Sequence, residues 1–351
     1  MISDFKRKKV RWIVIGVVCV AVIVIVAAVL YGSLSGKASD EQYTQRAESN
    51  MGEDSLNEIR FQEAADGEDL VTDLGPMVQG DDGWVEQPMN EDTVSELSHE
   101  DETKDIDISD ILKDKTLSIL GDSISTYEGW IPDEYAVFFP MSGEVEDVDD
   151  TWWKLFMDDA GMQFCANSSS SGSTCVGDSL SIDDPKFACS NYRIDDLIGK
   201  GGAYPDVIIV YMGTNDCLTN VPIGENDGTL PVEEGVIKNF SDAYTLILDK
   251  LESQYPGAQI YCCTLTQIGS WGSGDKPFVT FENSKGLTSE DYSRQIETIA
   301  SNRGLTSIDL YNCGITENNM YKYVTDGVHL NTEGMKLVRD SVESAIISSS
   351  Y

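Results

Sequence analysis

Histidine is almost missing from this chain: there are two among 351 residues, His99 and His329. It is the only side chain whose unperturbed pKa lies near neutrality, so imidazole chemistry has few places to occur. His99 falls in an acidic stretch punctuated by Gly and Pro, which leaves His329. Positive charge is scarce too, with 24 Lys and Arg against 61 Asp and Glu, for a formal net charge of −37. A surface of that sign repels nucleic acid and anionic lipid, so both are set aside as partners of the folded part. There is no Cys-x-x-Cys pair, so no structural zinc site is suggested. No internal repeat is visible.

Long apolar runs are absent but for one. Trp12 to Tyr31 reads WIVIGVVCVAVIVIVAAVLY without a charge, behind the basic stretch KRKKVR at 6–11. At about 1.5 Å rise per residue such a run crosses a hydrocarbon core of roughly 30 Å. The basic flank places residues 1–11 in the cytoplasm as a short tail and makes 12–31 a transmembrane anchor. The alternative is a cleaved signal peptide, for which Ser33-Leu34-Ser35 offers a small-x-small site. Either way the remainder is expected outside the cytoplasm, tethered or secreted. Residues 32–114 are rich in Asp, Glu, Ser, Gly and Gln and carry few apolar residues. They are expected to form an acidic, disordered linker, with at most a helical patch around 55–65.

From Lys115 the texture changes. Near-continuous apolar runs at 116–120, 163–166, 207–212, 259–265 and 306–310 read as strands covered on both faces. Helical spacing predicts helices over 236–254, over 289–302 with Ser289 as cap and Gly304 at the end, and over 331–347 with Asn331 as cap. Strands alternating with helices imply an α/β domain over 115–351 with about five parallel strands and right-handed crossovers. Of the seven cysteines after Cys19, Cys262 and Cys263 are expected in a strand core. Cys175 and Cys189 flank a loop and are candidates for pairing. The acidic run Glu144, Glu146, Asp147, Asp149, Asp150 lacks a full calcium-loop pattern and is read as a solvated surface, so no metal is expected.

Ligands of such sheets bind beyond the carboxyl ends of the strands. The first strand ends in Gly121-Asp122-Ser123, and the third in Gly213-Thr214-Asn215-Asp216. A helix starting just after Ser123 would add its dipole there. Asp326-Gly327-Val328-His329 precedes the last helix, so one short loop can bring a carboxylate to the imidazole. A serine, an amide and an Asp/His pair at strand exits are the parts of a serine esterase.

These blocks resemble those of the SGNH hydrolases, the GDSL esterase/lipase superfamily. Gly121-Asp122-Ser123-Ile124-Ser125 matches the first block, Asn167 through Gly172 the second, Gly213-Thr214-Asn215-Asp216 the third and Asp326-x-x-His329 the last. The resemblance covers residues 115–351. It implies a three-layer, flavodoxin-like α/β/α sandwich, with Ser123 as nucleophile, His329 as base and acid, and Asp326 orienting the imidazole. It implies an oxyanion hole made of the Ser123 and Gly172 N–H groups and the Asn215 side-chain amide, with Gly172 allowing close backbone approach. Asp216 is read as a brace for its loop. The chemistry requires no cofactor. The Gly-x-Ser-x-Gly elbow of another hydrolase fold is absent.

The expected activity is hydrolysis of short acyl esters, such as O-acetyl groups on polysaccharide, through an acyl-enzyme. Alternatives are a lipase or lysophospholipase, an O-acyltransferase and a non-catalytic surface binding module. The stretch after Ser123 holds Tyr127, Trp130, Tyr135, Phe138 and Phe139, and a later loop holds Trp271, Phe278 and Phe281. Trp152, Trp153 and Phe156 lie at helical spacing and are expected in the core. Trp130 and Trp271 fit either the core or a rim over the substrate.

Overall fold

The computed structural model describes residues 106–141, 143–272 and 277–350, together with the backbone of two short strands, Met77–Gly80 and Gly83–Glu86. The expected tail, the anchor at 12–31 and the helical patch at 55–65 lie outside the described residues. No helix among the described residues is long and apolar enough to cross a membrane.

The two short strands pair antiparallel, Met77 with Glu86 through Gly80 with Gly83. Backbone pairing thus stands where the sequence predicts a structureless linker. The linker expectation also runs too far at its other end. Helix α1, Ile108–Leu112, is capped by the Asp107 carboxylate and buries Ile108 and Leu112. Two apolar residues four apart suffice to dock a single helical turn, so the packed unit begins ahead of Lys115.

The central sheet has five parallel strands: β1 Thr116–Gly121, β2 Gln163–Ser169, β3 Val207–Tyr211, β4 Gln259–Cys263 and β5 Thr306–Ile308. Their spatial order is β5-β4-β3-β1-β2. The chain steps from β1 to the edge at β2, then returns past β1 and continues to β5. With right-handed crossovers, that reversal sends helices to both faces. Helix α2, Trp152–Asp159, and α1 both pack on the last helix α7, Thr332–Ser349. The second group contains α3 Asn191–Asp195, α4 Thr214–Leu218, α5 Phe240–Gln254 and α6 Ser289–Asn302. All five β3 residues are buried, as expected for a strand covered on both faces. Trp152, Trp153 and Phe156 are fully buried core residues.

Several boundaries differ from the sequence reading. Helix α5 starts at Phe240 rather than Val236, because Val236–Ile237 pair antiparallel with Gly177–Asp178 and Asn239 caps the helix. Helix α6 is capped by Thr288, whose N–H donates to Asp291 at 2.9 Å. Ser289 instead accepts from the Ile268 N–H, which ties α6 to the loop after β4. Asn331 caps α7 as expected, accepting from Gly334. The β1–β2 register shifts between Leu117 and Ser118, so Cys165 bulges out of the edge strand. Cys175 and Cys189 are buried free thiols rather than a disulfide, and Cys262 and Cys263 are buried in β4.

Candidate active site

The exits of β1, β2 and β3 and the loop before α7 carry the four sequence blocks. Gly121 ends β1 in a crowded place: a Cβ there would lie 2.6 Å from Ser169 Oγ and 2.7 Å from Ser125 Cβ. Glycine is needed for space rather than for an unusual φ. Ser123 then opens a single 3-10 turn, Ser123–Ser125, capped by Asp122 through Ile124 N–H. The α-helix anticipated at this point is absent, and three residues build no useful macrodipole. Ser123 is 4 % exposed.

The last block forms a tight loop. Gly327 has φ +92°, and a Cβ on it would lie 2.3 Å from the Gly269 carbonyl, so only glycine fits. The Gly269 N–H donates to the Gly327 carbonyl at 2.8 Å, fastening the loop to a hairpin of Gly269–Trp271 and Phe278–Thr280. Asp326 Oδ1 accepts from the Val328 and His329 N–H groups, and its Oδ2 lies 2.7 Å from His329 Nδ1. His329 Nε2 lies 2.8 Å from Ser123 Oγ. With Nδ1–H given to the carboxylate, Nε2 is the free acceptor facing the hydroxyl. Burial alone would raise the Asp326 carboxyl. The ring, amide and charge interactions with His329 and the Val328 amide outweigh it and hold the group down at about 2. Asp326 therefore stays a carboxylate across the whole neutral range.

Gly172 sits in the turn after β2 with φ +76°, and a Cβ there would meet nothing within 4 Å. The left-handed backbone calls for glycine here, and no protein atom crowds the position. Ser170 N–H donates to the Gly121 carbonyl, which brings this turn to the exit of β1. Asn215, in the first turn of α4, donates from Nδ2 to the Ser173 carbonyl at 2.9 Å. Asp216 accepts from the Cys175 and Val176 N–H groups, as a brace should. Burial pushes its carboxyl up to about 7, against the pull of those amides. The Ser123 and Gly172 N–H groups donate to no acceptor among the described residues. The three expected oxyanion donors thus lie on loops cross-linked to one another, and each retains an N–H to offer.

Three participants were given no role from the sequence. Arg193, on α3, is fully buried and donates to the Gly121, Ser168 and Pro185 carbonyls. It clamps the exits of β1 and β2 from beneath. Burial lowers its pKa to about 10. Asp122 is fully buried, with one carboxylate oxygen lacking a hydrogen-bond partner. Burial raises its pKa, against the Ile124 amide, Thr214, and the charges of His329 and Arg193. Phe138 lies flat on His329, with ring centroids 3.5 Å apart and planes 10° apart.

Trp130 is partly buried against Trp153 and Phe164, whereas Trp271 is 71 % exposed and rests on Phe278. A cavity of about 670 Å³ runs along the free edge of β2, lined by Trp130, Phe164, Asn167 and Asp196 among others, and touches none of the triad side chains. Among the described residues no cluster of His, Cys, Asp and Glu is placed to hold a metal ion.

A family model of GDSL-like lipase/acylhydrolase matches residues 115–270. Solved structures share the architecture. A protein of Bacteroides uniformis described as a GDSL-like lipase is 26 % identical, with 67 % of this chain and 96 % of that one covered and a TM-score of 0.50. A Bacteroides ovatus protein described in the same way is 23 % identical over 67 % of this chain and 99 % of that one, also at 0.50. A Lactobacillus plantarum protein is 21 % identical over 68 % and 98 %, again at 0.50. No curated protein matches. The matched segment and the shared architecture support assigning the chain to the SGNH hydrolase superfamily, as a hydrolase of the GDSL-like lipase/acylhydrolase kind.

Proposed function

We propose that this protein is a serine-dependent carboxylic ester hydrolase that removes short acyl groups, such as O-acetyl, from a polysaccharide outside the cytoplasm. The observation that carries the catalytic part is the continuous Ser123–His329–Asp326 chain, at 2.8 and 2.7 Å. Ser123 Oγ attacks the ester carbonyl as His329 Nε2 takes its proton. The imidazolium so formed is held by Asp326. The carbonyl oxygen, now negative, is met by the N–H groups of Ser123 and Gly172 and by the Asn215 Nδ2 hydrogen not given to Ser173. Each well-aimed donor contributes about 2.7–4 kcal/mol to lowering the barrier. His329 then returns the proton to the departing alkoxide, leaving an acyl-serine. Water, deprotonated by the same imidazole, releases the acid and restores the serine.

The flavodoxin-like three-layer reading is supported by the strand order β2-β1-β3-β4-β5. Tethering is supported by the uncharged run 12–31 behind its basic flank, with the acidic stretch as spacer. A saccharide alcohol is supported by Trp271, an exposed indole braced by Phe278 on the hairpin that fastens the His329 loop. The test compares full-length protein with its Ser123→Ala variant on p-nitrophenyl acetate, on longer-chain esters and on acetylated polysaccharide. Loss of hydrolysis in the variant and preference for acetyl are expected. Equal rates for the two proteins would remove the catalytic reading, and preference for long chains would make it a lipase.

A further inference from the structure

The segment 136–138 touches the serine turn, the Gly172 turn and the His329 loop. Ala136 N–H donates to Ser170 Oγ, and the Ala136 carbonyl accepts from Ser171 N–H at 2.7 Å, next to Gly172. Phe138 N–H donates to Thr126 Oγ1 at 2.9 Å, and that hydroxyl donates to the Ser123 carbonyl at 3.0 Å. The Phe138 ring covers one face of His329, while Phe139 is fully buried and presents an edge at 6.5 Å. One extended strap therefore joins the serine turn, the Gly172 turn and the imidazole.

The two hydrogen bonds of His329 lie in the plane of its ring. They do little to prevent the ring from tipping out of that plane. A parallel aromatic face at 3.5 Å blocks such tipping on its side and excludes water there. Its effect also depends on charge. The negative face of a phenyl ring attracts a cation far more than a neutral ring. The imidazole is neutral before attack and cationic during it, so this contact strengthens as the barrier is crossed, which is the condition for raising kcat. The charged groups that face His329 are Asp326 on its own loop and Asp122 beneath, the latter offset by the guanidinium of Arg193. The contact with Phe138 adds a term that neither carboxylate supplies.

We infer that Phe138 is a positioning residue that holds the His329 ring in the plane shared by Ser123 and Asp326 and favours its protonated form during acyl transfer. This rests on the esterase reading above, and the test separates the two. Wild type, Phe138→Leu and Phe138→Tyr are assayed on p-nitrophenyl acetate across pH, with Ser123→Ala as reference. Leucine keeps the apolar cover and removes the aromatic face, whereas tyrosine keeps the face. Phe138→Leu is expected to lose about 3- to 30-fold in kcat with KM little changed. The acid limb of its rate profile should move to lower pH, by about half a pH unit or more. Phe138→Tyr is expected to stay within about twofold of wild type, with the limb unmoved.

If Ser123→Ala hydrolyses as fast as wild type, the esterase reading itself fails. If hydrolysis depends on Ser123 but Phe138→Leu keeps the wild-type kcat and acid limb, the role of Phe138 is refuted. The same follows if Phe138→Tyr, folded by near-UV circular dichroism, loses as much as Leu. Should Phe138→Leu not fold, the tyrosine variant decides alone, since a role for the aromatic face demands that its profile match wild type.

Discussion

The two halves of the site are built differently. Ser123 and the Gly172 turn stand on the ends of buried strands, cemented by a guanidinium that itself has no exposure. Asp326 and His329 stand on a surface loop, where the carboxylate side chain is 40 % exposed and the imidazole 15 %. The first half takes its geometry from the core. The second is held by one backbone bond to a hairpin, one left-handed glycine and a phenyl ring lying on it. Damage to the packing beneath the first half should therefore appear as lost stability, and damage to the second as lost chemistry in a protein that still folds.

The sharpest way to break that contrast is Asp326→Asn. It preserves shape but presents the wrong hydrogen to the imidazole, and a loss of about ten-thousandfold in kcat is expected. The thermal midpoint, read by calorimetry, should move only slightly. A large drop in melting temperature would show that the loop is as structural as the strands. The pH response carries a sign. A carboxyl held near 2 contributes stability that is fully present above its ordinary value near 4 and is lost as pH falls toward 2. The acid limb of activity therefore cannot come from protonating Asp326.

Arg193→Met probes the other half. It strands two buried carbonyls and a partly buried one and leaves Asp122 without its balancing charge, at a cost of about 3–5 kcal/mol. The calorimetric midpoint should fall by roughly 6–20 °C. A midpoint within a degree or two of wild type would contradict the clamp.

The smallest effect expected lies away from the site, at Glu343 on α7. Burial raises its carboxyl to about 7, with Arg339 opposing and Asp159 and Asp340 adding to the rise. One of its oxygens is buried without a partner. A raised acid favours the folded state below its ordinary value near 4.5, and that advantage is lost as pH rises through 7. Glu343→Gln should flatten the fall of the urea midpoint between pH 5 and 7.5. Part of the slope should remain, because Asp216 titrates in the same window.

The strands were legible because a strand buried on both faces is written as an unbroken apolar run, and β3 is the clearest case. The triad residues were legible because each sits within a few positions of such a run or of a helix start. What escaped were features that depend on distant partners. Val236 and Ile237 lie at helical spacing, yet Gly177 and Asp178 recruit them into a bridge. Ser289 looks like a cap but is used by Ile268. Arg193 is one basic residue in a five-residue helix, and nothing local says that three carbonyls converge on it. Phe138 is one aromatic among many, and its place over His329 depends on chain segments nearly 200 positions apart. The left-handed φ of Gly172 also escaped, since spacing alone does not reveal a backbone angle.

The register slip that leaves Cys165 without a partner on β1 also bears on how copies of the molecule would meet. An outermost strand with even spacing offers a template to any neighbour; a kinked one does not. A second copy that met this edge would find its ladder broken at Cys165, so the outer strand is a poor place for one sheet to grow onto another.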